Sequence, residues 1–244
     1  MTDRSHRLTI LTQEEIDELY AQPRFNDKDR DLYFELNNQE LAVATERRGA
    51  AGVYFVLLLG YFRAKHQFFE VASDSTANDV KYIVGRYFPD VRERFLTPPS
   101  RPTLQSLQDQ ILDLLGYRRW AGMRDTLAER LNELATRSTQ PRYLFREALQ
   151  FLDRERIVRP AYTHLQDIVG EVMNHERDRL TALLNQALTP DMRQQLNALL
   201  KADGSIYRIS LLKQDLRDFS YKALTKRFRG ARRSRRYTNS HRSF

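Results

Sequence analysis

Ala50-Ala51-Gly52-Val53-Tyr54-Phe55-Val56-Leu57-Leu58-Leu59-Gly60-Tyr61-Phe62-Arg63-Ala64-Lys65 is the stretch on which the fold turns. It is apolar almost all round, so a helix here has no face to give to water and must be enclosed by other elements. The uncharged run from Ala50 to Phe62 is thirteen residues long, whereas a membrane-spanning helix needs about 20. The segment reads as the central helix of a packed core, and no membrane partner is expected.

Helical periodicity continues on both sides, with prolines at the seams. Thr12-Gln13-Glu14-Glu15 is a capping box that opens a short helix carrying Ile16 and Leu19, and Pro23 follows it. Asn26 or Asp27 caps the next, and a third, Glu40 to Arg47, ends at Gly49. Downstream, Ser73 to Asp79 is rich in turn and cap residues, and Val80, Ile83, Val84, Tyr87 and Phe88 recur at helical spacing until Pro89. The stretch Thr97-Pro98-Pro99-Ser100-Arg101-Pro102-Thr103 reads as an extended linker. Beyond it, Leu104 to Leu115, Trp120 to Leu134, the run from Pro141, the long run from Pro160, the run from Pro190, and Leu211 to Thr225 each predict a helix. No segment sustains period-two alternation. The expected fold class is all-α: two consecutive helical domains, 1–97 and 104–225, with helix-turn-helix-like elements, a linker at 98–103 and a basic tail at 226–244.

With 244 residues and 41% hydrophobic content, the chain can bury a proper core. There is no cysteine, which excludes a disulfide framework and suits a reducing compartment. Met1 to Arg7 mixes Asp and Arg with no apolar run behind it, so no signal peptide is expected and the location predicted is cytoplasmic. The net charge is +8. Eight basic residues follow Thr225 with no acid among them, and subtracting them leaves 32 basic against 32 acidic residues. Any nucleic-acid surface on the folded part must therefore come from local clustering.

Catalytic chemistry finds little footing. His164 and His175 share a face of the long helix, but eleven residues separate them by roughly 16 Å, too far to chelate one ion. His175-Glu176 lacks the second histidine of a zinc-protease helix. No glycine-rich phosphate loop follows a strand. The acids read as solvated helix faces. No metal, cofactor, small-molecule substrate or catalytic residue is expected.

Two places suggest helix-turn-helix geometry. After Thr76, an inward apolar face leaves Asn78, Lys81 and Arg86 outward, where Asn can read adenine and Lys or Arg guanine or phosphate. The turn from Phe69 to Ser75 is long for the motif. The other is the helix from Pro141 to Glu155, the turn Arg156-Ile157-Val158-Arg159, and a helix opened by Pro160. It presents Tyr162, Thr163, His164 and Gln166, with Arg156 and Arg159 as flanking phosphate clamps. An ordinary helical hairpin with a polar corner fits the same residues. Arg47, Arg48, Arg63 and Lys65 could also touch phosphate, and Arg118 and Arg119 make a basic corner beside Trp120.

The opening Leu8-Thr9-Ile10-Leu11-Thr12 with Glu14-Glu15-Ile16, then Phe25-Asn26-Asp27 and Leu32-Tyr33-Phe34-Glu35-Leu36, resembles the N-terminus of transposases of the Tn-three family. Gly60-Tyr61-Phe62, Phe68-Phe69, Asp79-Val80-Lys81-Tyr82-Ile83, Tyr117-Arg118-Arg119-Trp120 and Arg156-Ile157-Val158-Arg159-Pro160 carry the likeness onward, over roughly residues 5 to 225. The resemblance implies the N-terminal region, long catalogued as of unknown function, that binds the terminal inverted repeats of the transposon. It assigns strand cleavage to a distant acidic-triad domain that uses divalent metal, so this chain is not expected to cut DNA. The implied partner is double-stranded DNA at transposon ends. The alternative is a protein-interaction module: the long helix would contact a second copy or the full-length transposase, and a fragment could then inhibit. The change at Arg229-Gly230-Ala231-Arg232-Arg233 departs from the family's mixed-charge pattern and suggests a truncated or shifted frame near Lys226 with a disordered tail. A tyrosine recombinase is disfavoured, because Tyr237 sits in that tail, and a serine recombinase would need an α/β domain.

Overall fold

In the computed structural model, Ala50–Lys65 is a helix in which every residue from Gly52 to Phe62 is buried. The structure describes residues 8–47, 49–71, 73–92, 96–199, 202–203 and 206–207, the side chains at 73, 74, 196, 198, 199, 202, 203, 206 and 207 excepted. Arg48, the helix expected at Leu211 to Thr225 and the basic tail lie outside the described residues. In chain order the helices are α1 (Gln13–Tyr20), α2 (Asp27–Tyr33), α3 (Asn38–Glu46), α4 (Ala50–Lys65), α5 (Ser73–Tyr87), α6 (Arg101–Leu115), α7 (Arg124–Ala135), α8 (Pro141–Arg154), α9 (Tyr162–Ala187) and α10 (Pro190–Leu199). The fold is all-α; the described residues add only a two-residue antiparallel ladder, Ala202–Asp203 with Ile206–Tyr207, and a single bridge between Arg118 and Ile157.

Local chemistry sets the helix ends. Thr12 with Glu15, Asn26 with Asp29, and Asn37 with Glu40 form three successive capping boxes, each satisfying two amides at an N-terminus and placing an acid where the helix dipole favours it. Gly116 ends α6 in the left-handed region. His66 ends α4 there too, at φ 53, its N–H donating to the carbonyl of Phe62 at 2.7 Å. Some expected starts move. α5 begins at Ser73, so the last three residues of the presumed turn are already helical, whereas Trp120 and Met123 precede α7 and Pro160 precedes α9.

The chain groups into two compact units, Met1–Thr181 and Ala182–Phe244. In the first, α2, α3, α5 and α6 surround α4. Their core joins Phe34, Ile83, Val84 and Phe88 to the buried residues of α4, and includes Leu107, Ile111 and Leu112 of α6. This corrects the expected linker and boundary at 98–103. Arg101, Pro102 and Thr103 form the first turn of α6, where proline's missing N–H costs nothing, and that helix completes the first core instead of opening a second domain.

A second core within the same unit joins α7, α8 and the first half of α9. The chain's own start belongs to it: Ile10 is buried there, with Leu8, Leu11, Leu19 and Tyr20 packed alongside. Hydrogen bonds hold that segment in place. Arg142 Nε donates to the Ile10 carbonyl at 3.2 Å, Gln166 Nε2 to the Leu8 carbonyl at 2.9 Å, and the Leu11 N–H to the Tyr162 hydroxyl at 3.4 Å. Residues 8–20 therefore pack on the second core before the chain builds the first, so two consecutive independent domains do not describe this unit. In the second unit, Arg193 Nη2 donates to the carbonyl of Asn185 at 2.6 Å and Thr189 Oγ1 accepts from the N–H of Met192 at 3.3 Å.

Candidate nucleic-acid interface

One rotation of α5 is enforced from inside. Asp79 is buried at 4% exposure, and both of its carboxylate oxygens are used. Arg30 Nε donates to Oδ1 and the Tyr61 hydroxyl to Oδ2, each at 2.7 Å. Burial pushes the Tyr61 phenol well above its ordinary value, with the bond to Asp79 adding to the shift, so it stays a donor. With Ile83 and Val84 also inward, the opposite face is left to Asn78 and Lys81, both exposed and one helical turn apart. Asn78 lines an open groove of about 500 Å³ together with Gln22, Arg24, Arg30 and Ser75. Arg24, in the loop between α1 and α2, is exposed and adds a cation that no sequence pattern singled out.

Arg86, the third residue expected on this face, is tied down. Its Nη1 donates to the Tyr82 hydroxyl at 2.7 Å and reaches Asp31 at 3.4 Å, and its guanidinium lies 5.9 and 5.6 Å from the ring centroids of Tyr82 and Tyr87. It buttresses α5 while its side chain stays 42% exposed.

The corner between α8 and α9 divides its expected residues. Ile157 is fully buried, and the turn is pinned by N–H bonds from Arg118 to the Arg156 carbonyl at 2.8 Å and from Val158 to the Arg118 carbonyl at 2.9 Å. Arg156 is exposed at φ 49, and Thr163 and His164 are exposed on the first turn of α9. Arg159, Tyr162 and Gln166 correct the expectation. The Arg159 side chain is only 10% exposed, 3.5 Å from Asp153, and cannot clamp a phosphate. The Tyr162 ring packs 5.5 Å from Phe145 and 5.9 Å from Tyr20, and Tyr162 and Gln166 hold the Leu8–Leu11 segment. Their polarity serves the backbone of the chain's own start.

The other basic candidates are engaged to differing degrees. Arg47 donates through two nitrogens to Gln110 Oε1. Arg63 satisfies the carbonyls of Tyr33 and Glu35 and pairs with Glu40 at 2.6 Å, and Lys65 bonds the Glu18 carbonyl. Arg118 and Arg119 are exposed but paired with Glu155 at 3.3 Å and Asp109 at 2.6 Å. Exposed pairs of this kind are worth about 0–1 kcal/mol, so a phosphate can displace either acid. Arg47, Arg63 and Lys65, by contrast, hold segments together.

Where the two cores meet, His66 Nδ1 lies 2.9 Å from Asp153 Oδ1, and the His66 carbonyl accepts from the Arg159 N–H at 2.8 Å. The hydrogen bond with His66, then the charge of Arg159, hold the Asp153 carboxyl below its ordinary 3.8 against the opposing effect of burial. A carboxyl depressed in the folded state stabilises it fully above that ordinary value and loses the effect as pH falls through the depressed one. Asp153→Asn is therefore expected to unfold at lower temperature than the parent at neutral pH. The gap closes as pH drops below 3.8. A gap that stays constant down to the acid limit in scanning calorimetry would contradict this.

Among the described residues, no group of three His, Asp or Glu side chains is placed to hold a metal ion, and no helix is long and apolar enough to cross a membrane. A family model described as a domain of unknown function (DUF4158) matches residues 10–172. No curated protein matches the chain.

Proposed function

Because the chain belongs to the DUF4158 family, whose description names no activity, we propose a function from the surface and from the resemblance to Tn-three-family transposases together. The protein is a duplex-DNA reader that recognises the terminal inverted repeats of a transposon in the cytoplasm, and it leaves strand cleavage to a separate acidic-triad domain. The observation that carries this reading is the outward face of α5. Asn78 and Lys81 stand exposed on a helix whose rotation is locked by a buried carboxylate, beside a groove containing Arg24.

The chemistry suits the major groove. A helix of about 22 Å fits a groove about 12 Å wide, where an Asn carboxamide can pair with adenine N6 and N7, and a Lys ammonium with guanine O6 and N7 or a phosphate. α4 plays the supporting helix, and the connection over 66–72 is longer than the three or four residues common in helix-turn-helix units. Thr163, His164 and Arg156 form a smaller exposed polar corner that can take the flanking backbone.

A second reading, a helical interaction surface, has one observation in its favour. In the second unit, the end of α9 exposes Leu183 and Leu184 at 49% and 57%. This surface fits a second copy of the chain or another part of a transposase, and a fragment carrying it would inhibit by mixed assembly.

Fluorescence anisotropy separates the two. The full chain, and the same chain lacking residues 226–244, are titrated with an inverted-repeat duplex against scrambled competitor. The DNA reading expects a preference for the repeat of at least about tenfold, equal to 1.4 kcal/mol, that survives removal of the tail. Binding without preference that disappears with the tail, accompanied by concentration-dependent self-association, would put the interaction surface first.

A further inference from the structure

A second opening lies along α9, on the other core. It is an open cleft of about 670 Å³, within the range of about 300–1,000 Å³ that small ligands occupy. Leu8, Ile168 and Met173 supply its apolar lining, and Trp120, half-buried and the one tryptophan of the chain, lines it as well. His164 and Asn174 are both exposed and line the cleft, about 15 Å apart along α9.

The charges decide what class of ligand fits. Arg124 reaches across from α7 and donates from Nη2 to both carboxylate oxygens of Glu171 at 2.7 Å. Arg177 and Asp167 complete the charged lining, so two guanidinium groups face two carboxylates. A phosphate would gain nothing net from such a balance. A neutral, planar heterocycle with polar edges would gain from an indole to stack on, an apolar floor, and a carboxamide at its rim.

Building on the DNA-end reading, we propose that this cleft takes an unpaired nucleobase, extruded from the duplex or standing at a strand end. The base stacks on Trp120 and turns its hydrogen-bonding edge to Asn174. Extrusion is easiest where a base already lacks a partner, so the cleft discriminates distorted or open DNA from fully paired DNA. α5 reads paired sequence elsewhere on the molecule.

Since Trp120 is the only tryptophan, its emission reports occupancy directly. The full chain is titrated with three labelled duplexes of the inverted-repeat sequence: fully paired, with a single-thymine bulge, and with an abasic residue in place of that thymine. Anisotropy measures binding while tryptophan emission measures stacking. The thymine bulge is expected to quench Trp120 and to bind at least about fivefold tighter than the abasic duplex, as one stacked base would. Asn174→Ala should remove most of that advantage, and its side chain is exposed. Equal quenching by thymine and abasic bulges, or binding with no change in emission, overturns the cleft assignment and leaves the DNA reading intact. Absence of anisotropy change with any of the three duplexes removes both.

Discussion

Gly60→Ala is expected to lower the thermal midpoint by up to about 8 °C, because it forces a methyl group against a buried ring of the first core. A Cβ at Gly60 would lie 2.3 Å from Phe34 Cδ1, 2.4 Å from Phe34 Cε1 and 3.2 Å from the Tyr33 carbonyl oxygen. The Phe34 ring cannot step aside. It is fully buried, with the rings of Phe25, Tyr61 and Tyr82 centred 5.4, 6.2 and 6.1 Å away. Overpacking of this kind costs about 1–3 kcal/mol and occasionally more. Alanine's helix preference over glycine returns roughly 1 kcal/mol, too little to offset a clash with a ring that is held on every side. Gly85→Ala is the matched control. It lies on the exposed side of α5 with open space around its Cβ position, so the same propensity gain should raise the midpoint slightly. Equal midpoints for the two variants would mean that α2 does not sit against α4 as described.

The second large effect is expected at Asp79. Asp79→Ala leaves the Tyr61 hydroxyl buried without an acceptor and Arg30, whose side chain is 16% exposed, with only the exposed Asp27 as partner. Breaking a buried pair by removing one member costs about 3–5 kcal/mol, most of it the penalty of the charge left behind. Asp79→Asn keeps an acceptor for Tyr61 and should lose much less. The ranking parent, Asn, Ala in urea midpoints is the expected result. An alanine variant as stable as the parent would show that the carboxylate does not set the rotation of α5.

How much of this was readable from the sequence depends on how far apart in the chain the partners lie. The burial of α4 is written in one uninterrupted run, and the capping box at Thr12 lies within four consecutive residues, so both are legible without a structure. The allegiance of α6 is not. Leu107, Ile111 and Leu112 state that the helix has an apolar face but not which core receives it, and Pro102 beside Pro98 and Pro99 looks like a linker until its place in the first helical turn is seen. The polar residues of the α8–α9 corner were misleading for a related reason. Gln166 and Tyr162 look like readers because their partners, Leu8 and Leu11, lie more than 150 residues away. Arg159 looks like a clamp because nothing local reveals that the corner folds against His66. Asp79 was counted with the solvated acids; its burial follows from Arg30 and Tyr61 arriving on two other helices. The α5 face survives because it depends only on helical spacing, which places Asn78 and Lys81 opposite Ile83 and Val84 wherever that helix packs.

The cleft on α9 had a different cause of concealment. Trp120, Arg124 and the residues at 164 to 177 were each visible as ordinary helix or corner residues. Only the packing of α7 beside α9, with Leu8 laid across, makes them one surface.

The decisive measurement is the affinity ratio between inverted-repeat and scrambled duplex for the parent chain and for Asn78→Ala combined with Lys81→Ala, in one buffer of stated salt. Both side chains are exposed, so the unfolding midpoint should stay within error while the ratio falls by at least about tenfold, each base contact being worth about 1–3 kcal/mol. A ratio that stays unchanged in the double variant would contradict α5 as the reader of DNA.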